Sequence, residues 1–85
     1  MNRSQRIHHS LTSAFAPTVL EVIDDSAKHA GHAGASPEGE THYTVVINSR
    51  AFAGLSRVAA QRAVMDALKS EFDTGLHALS IKASS

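Results

Sequence analysis

The chain has 85 residues with 42% hydrophobic and 19% charged side chains, enough apolar content to fold as one small domain and too short for two. Eight Lys and Arg balance eight Asp and Glu, which excludes the strongly basic signature of non-specific nucleic-acid binding. The absence of cysteine excludes disulfides, thiol nucleophiles and any metal or iron–sulfur site built on the chain's own thiolates. No apolar run approaches the roughly 18 residues needed to cross a bilayer, and the first ten residues hold no signal-peptide core. A soluble cytoplasmic protein is expected, with no membrane partner.

In chain order, Ile7, Leu11, Ala14 and Phe15 recur at helical spacing and predict an amphipathic helix with Arg3, Arg6 and Ser10 turned outward. Pro17 ends it, because the residue before a proline is pushed out of the α region. The β-branched and aliphatic run 18–24 reads as a strand. Residues 25–40 hold Gly31, Gly34, Gly39 and Pro37 with almost no large apolar side chain, and read as a long loop. Loops of that length inside a compact domain are uncommon and are often functional.

The run 41–48 is the clearest strand, with Tyr43, Val45 and Ile47 on one face and His42, Thr44 and Val46 on the other. It is expected to return antiparallel to the first strand. After the connector 50–54, Ser56 caps a predicted helix running to about Phe72, with Val64, Leu68 and Phe72 stacked and Val58 and Met65 widening the apolar face. Gly75 suits the break that follows, and 76–83 alternates as a final strand. The order αββαβ predicts an α+β sandwich: a three-stranded mixed sheet with two helices on one face, forming a single domain over 1–85.

Six histidines stand out: His8, His9, His29, His32, His42 and His77. His8 and His9 fall near the polar side of the first helix and read as solvated. His42, at a strand start beside Thr41, reads as structural, hydrogen-bonded across to the loop. His77, at the start of the last strand, is either a ligand or a histidine satisfied by a backbone carbonyl. His29 and His32 lie in the glycine-rich loop, where the spacing gives no geometry to argue from.

These segments together resemble the BolA family. The residues that carry the resemblance are Leu20, Glu21, Val22, Asp25 and Ser26, then the loop histidines, then Thr41, His42 and Tyr43. Phe52, Gly54 and Ser56 follow, and His77, Ala78 and Leu79 complete it, in register over nearly the whole chain. The resemblance implies a class II KH-like topology and a partnership with a monothiol glutaredoxin. In that picture the two proteins share a bridged two-iron, two-sulfur cluster. The glutaredoxin cysteine and a glutathione thiol supply sulfur, and this chain supplies imidazole. A cysteine-free chain with loop histidines is similar to the histidine type of the family. By similarity of position His77 is the C-terminal ligand and His29 the loop ligand, with His32 able to substitute for it.

Imidazole suits this chemistry, since iron held by histidine in place of cysteine has a higher potential and a bond that protonation weakens. Two imidazoles cannot complete a cluster's coordination, so the remaining ligands must come from a partner, and the isolated chain is expected to hold no cofactor. The competing reading is a DNA-binding transcriptional regulator. Between Thr41 and Met65 the charged residues are Arg50, Arg57 and Arg62, a basic patch suited to acidic partner surfaces, glutathione carboxylates or phosphates.

Several features of the sequence count against nucleic-acid binding. Three phosphate contacts make DNA binding weak. Members of the family often carry Arg-His in the second helix where Ala60 and Gln61 stand here. No GxxG loop of the kind KH domains use to clamp a nucleotide backbone lies between the helices.

A zinc module built from loop histidines is a third reading. Catalysis is not expected. No G-x-S-x-G, P-loop, dinucleotide or H-E-x-x-H motif is present, and Asp24 and Asp25 point to opposite faces of a strand. The isolated chain is expected to be a monomer or a weak homodimer.

Overall fold

The computed structural model describes residues 1–25 and 41–85. The first helix, α1 (Arg3–Phe15), starts at a reciprocal cap: Asn2 Oδ1 accepts from the Gln5 backbone N–H at 2.9 Å, and Gln5 Oε1 accepts from the Asn2 N–H at 2.9 Å. It ends at Ala16, which takes a left-handed conformation (φ 43°) immediately before Pro17. Strand β1 (Val19–Asp24) pairs antiparallel with β2 (His42–Asn48), with Val22 opposite Val45. Strand β3 (Ala78–Ser84) pairs parallel with β2, with Val45 opposite Ile81. The sheet order β1-β2-β3 puts β2 in the centre, and the parallel pairing requires a crossover, made by α2 (Arg57–Ala67) and α3 (Lys69–Asp73). The expected αββαβ order, the mixed sheet and the α+β class are all observed.

Strand alternation sends Tyr43, Val45 and Ile47 to the helix side, where they are fully or almost fully buried with Ile7, Leu11, Val64 and Leu68. Leu20, Val22, Leu79, Ile81 and Ala83 pack around this core from the two outer strands. Ser49 closes one corner: its hydroxyl donates to the Phe15 carbonyl at 2.6 Å and accepts from the Ala51 N–H at 3.1 Å, while the Phe15 and Phe52 rings lie 4.9 Å apart.

Four sequence expectations are corrected. Arg3 does not face solvent. It is buried, and its guanidinium donates to Glu71 Oε1 at 2.8 Å, to the Glu71 carbonyl at 3.0 Å and to the Thr74 carbonyl at 3.0 Å. Arg6 reaches the same carboxylate from one turn further on, at 3.1 Å. The long arginine stems lie along apolar surface while the heads find a buried acid, a pairing that hydropathy patterning cannot register.

The second helix is not continuous to Phe72. It breaks at Leu68 (φ −107°, ψ 13°), which turns the chain so that Leu68 and Leu76 both point inward. Ala14, Val58 and Met65 are exposed, because α1 and α2 bury narrower stripes than the sequence pattern suggested. The last strand starts at Ala78, later than expected, with Leu76 buried ahead of it. Gly75 does mark the break, with φ 127°. A Cβ there would also come within 3.1 Å of Arg3 Nη2, so the glycine serves both the turn and the arginine clamp.

Candidate functional site

The end of the sheet where β1 finishes and β2 and β3 begin gathers the residues that carry the chemistry. The His77 and Ala78 backbone N–H groups both donate to the Thr41 carbonyl, at 2.8 and 3.1 Å, and the Asp25 N–H donates to the His42 carbonyl at 2.8 Å. The residues on either side of the 26–40 segment, Asp25 and Thr41, are therefore fastened at the same sheet end as His77. The local sequence explains the placement of His77. Gly75 lets the chain reverse after α3, the Leu76 N–H returns to the Glu71 carbonyl at 2.9 Å, and the Leu76 side chain enters the core. The next side chain in an extended run turns the other way, and His77 is exposed.

His42 lies beside it. The two imidazole centres are 5.4 Å apart with the rings tilted by 52°. His42 is buried, and its Nδ1 lies 2.9 Å from Thr41 Oγ1. The expected bond from His42 across to the loop falls on residues outside those described. The closeness of His42 to His77 was missed because 35 residues separate the two and their meeting depends on the β2–β3 register, in which His42 stands opposite Ala78. The available signal was the pair of histidines at the starts of two strands, and it becomes informative only once those strands are known to be parallel neighbours.

Next to His42, a shallow cavity of about 220 Å³ is lined by Asp25, Thr44, Ala78 and Ser80 among others. The Thr44 hydroxyl donates to the Asp25 carboxylate there. Imidazole nitrogen is a borderline donor suited to iron, zinc and copper, and a carboxylate nearby favours cations. Among the described residues no group of three or more His, Cys, Asp or Glu is arranged to hold a metal ion. Any metal or cluster engaged here therefore needs further ligands.

The other sequence-derived residues fall elsewhere. His29 and His32 lie outside the described residues. His8 and His9 are exposed on α1, as expected. Arg50 sits in the short 3-10 turn Arg50–Phe52, and Arg57 and Arg62 lie on α2, all three exposed. Five residues along an α-helix amount to a rotation of about 140°, so Arg57 and Arg62 do not share a face. Asp66, one turn beyond Arg62, stands on Arg62's side and offsets its charge. Arg50, Arg57 and Arg62, read from the sequence as one basic patch, are spread over the 3-10 turn and two sides of α2. Among the described residues no helix is long and apolar enough to cross a membrane.

Comparison with known proteins agrees with this architecture. Residues 11–85 match the family described as BolA-like protein. The chain is 49% identical over 83 residues to an uncharacterized protein in the cobS 5' region of a Sinorhizobium species, covering 96% of this chain and 89% of that one. It is 44% identical to the chloroplastic protein BOLA1 of Arabidopsis thaliana over 94% of its own length but only 51% of the relative's, so it spans about half of that longer protein. It is 36% identical to the DNA-binding transcriptional regulator BolA of Escherichia coli, over 91% of this chain and 70% of that one. Among solved structures, the BolA domain of SufE1 from Arabidopsis thaliana superposes with a TM-score of 0.89 at 44% identity, over 99% of this chain and 92% of that one. With the fold and the sequence match in agreement, the chain belongs to the BolA-like protein family.

Proposed function

We propose that this protein is a non-enzymatic adaptor in iron–sulfur trafficking or iron sensing that acts in a heterocomplex with a monothiol glutaredoxin. The two-iron, two-sulfur cluster is the cargo of the complex. His77 supplies imidazole to it, with His29, or His32 in its place, as the second ligand. The observation that carries the reading is the placement of His77: an exposed imidazole on a backbone clamped to the Thr41 carbonyl, at the sheet end where Asp25 and Thr41 bracket the segment bearing the two loop histidines.

The donor set supports cluster sharing over ownership. Imidazole and carboxylate are present and thiolate is absent, so sulfur ligands have to come from the partner and from glutathione. A ligand fixed by a strand start is held in place without being enclosed, which suits a cargo that must be received and passed on. Arg50, exposed outside the helix, and Arg57 at the start of α2 suit contact with an acidic partner surface.

The test is visible absorption and circular dichroism of a monothiol glutaredoxin reconstituted with iron, sulfide and glutathione, titrated with this protein. We expect a spectral change that saturates at one to one and is lost with His77→Ala. An exposed strand-start side chain carries little of the fold, so the variant should keep its far-ultraviolet spectrum. No spectral change at any ratio, or an unchanged one with His77→Ala, would overturn the reading.

A second reading, DNA-binding regulation, is favoured by the name carried by the 36% identical Escherichia coli relative. The angular separation of Arg57 and Arg62 weighs against it here. Three phosphate contacts from Arg50, Arg57 and Arg62 predict duplex binding whose log–log salt slope is only about −2.7. Equal, weak binding to any duplex in a gel-shift or anisotropy titration removes this reading. Sequence-dependent binding lost in Arg57→Ala and Arg62→Ala would establish it.

A further inference from the structure

We propose that the solvent-facing side of the sheet is a self-complementary surface on which two copies of this chain form a weak dimer, sheet against sheet. On one side of the central strand, Tyr43, Val45 and Ile47 pack with buried residues of both α1 and α2. The alternate residues Thr44, Val46 and Asn48 turn to the other side and are half-buried. Val19 and Ile23 of β1 flank them there and are 49% and 44% exposed.

A two-fold axis parallel to β2 and midway between two facing sheets sets β2 against β2. It carries β1 of one copy over β3 of the other, at the same height along the strands. In the observed register Glu21 and Lys82 stand on either side of Val46, so each Glu21 then meets Lys82 of the second copy. Both are exposed, and among the described residues neither has an ion pair within its own chain. Ile23 shares a row with Ser80, and Val19 shares one with Ser84, so each large apolar side chain of β1 lies over a serine of β3. One rotation matches charge and size together.

The polar groups in the middle of this face are hydrogen-bonded within the chain. The Thr44 hydroxyl donates to the Asp25 carboxylate, Asn48 Oδ1 accepts from the Thr18 hydroxyl at 2.9 Å, and Asn48 Nδ2 donates to Ser84 Oγ at 3.0 Å. A second sheet can cover them without leaving them unpaired, which removes the main cost of burying polar groups. Three strands about 4.8 Å apart and seven residues of about 3.3 Å each give a footprint of roughly 300 Å² on each copy. A standard stable interface takes about 800 Å² from each partner, so this dimer is weak and depends on concentration.

The experiment is sedimentation equilibrium of the full chain from about 10 μM to about 1 mM, the range in which so small an interface should associate. We expect the average mass to rise from that of one chain toward that of two. Glu21→Lys and Lys82→Glu each set like charges opposite one another, twice over by symmetry, and should weaken association by about tenfold. The double variant Glu21→Lys/Lys82→Glu exchanges the charges and should associate as the wild type does. An equimolar mixture of the two single variants should recover association as well, because each then meets its opposite charge.

Methyl spectra of the wild type locate the surface without any substitution. Raising the concentration should shift Val19, Ile23 and Val46 and leave Val58 and Met65, the exposed apolar side chains of α2, unmoved. A mass that stays that of one chain throughout, association indifferent to the single reversals, a double variant that fails to restore it, or shifts confined to α2 would each overturn the proposal. No glutaredoxin enters the experiment, so its outcome is independent of the cluster-sharing function.

Discussion

Glu71→Ala should lower the unfolding free energy by about 3–5 kcal/mol, because it removes the acid from a buried ion pair and leaves a guanidinium without its counter-charge in the interior. Glu71 and Arg3 have side chains only 7% and 9% exposed, and the carboxylate also receives Arg6. Arg3 donates as well to the Glu71 and Thr74 carbonyls, so this one side chain ties α1 to the C-terminal end of α3 across 68 residues or more of sequence. Domains of this size have total stabilities near the lower end of about 5–15 kcal/mol, so the variant should be largely unfolded at modest urea concentrations. Urea titration followed by circular dichroism reads the change. Arg6 is 39% exposed, and Arg6→Ala should cost less than about 1 kcal/mol in the same assay. A Glu71→Ala loss no larger than that of Arg6→Ala would show that solvent screens the whole cluster.

Leu68→Ala should cost about 2–5 kcal/mol, the range for removing a fully buried leucine and leaving a cavity. Leu68 has no exposed surface, and it stands where α2 gives way to α3, with its N–H shared between the Val64 and Met65 carbonyls at 3.2 and 3.1 Å. The side chain belongs to the buried cluster that also holds Ile7 and Leu11 of α1 and Tyr43, Val45 and Ile47 of the central strand. Met65 is 43% exposed, and Met65→Ala should change stability by no more than about 0.5 kcal/mol. Equal losses from the two substitutions would mean that both residues belong to one continuous helix face, as the sequence pattern suggested.

The two comparisons bear on how the function is held in place. The Arg3–Glu71 clamp and Leu68 lie at the end of the crossover that leads through Gly75 and Leu76 to His77. A change there should loosen the strand start that presents the imidazole, so a stability defect and a functional defect would travel together. His77→Ala, by contrast, removes the imidazole while leaving that frame intact, which makes it the cleaner functional probe.

Much of this protein was legible in its sequence because the relevant signals are local. The burial of Ile7 and Leu11 follows from helical spacing, the alternation of Tyr43, Val45 and Ile47 from strand geometry, and the helix start at Ser56 from its side chain bonding the Ala59 N–H. Each depends on residues within a turn or a strand of one another. The element order followed from these, and the family resemblance from the motifs placed on them.

The tertiary structure alone decided what depends on distant partners. Arg3 reads as a solvent-facing charge until a carboxylate 68 residues away is brought to it, after which the stem packs and the head is neutralised. Val58 and Met65 read as flanks of the core until α2 is seen to bury Ala60 beside the expected Val64 and to leave both of them exposed. His42 and His77 come within 5.4 Å only because burial of alternate residues on β2 and β3 fixes one parallel register, and a shift of one residue would turn every side chain of a strand to the other face. Spacing along the chain specifies which way a side chain faces. Which other side chain it meets is set by the packing of the whole domain.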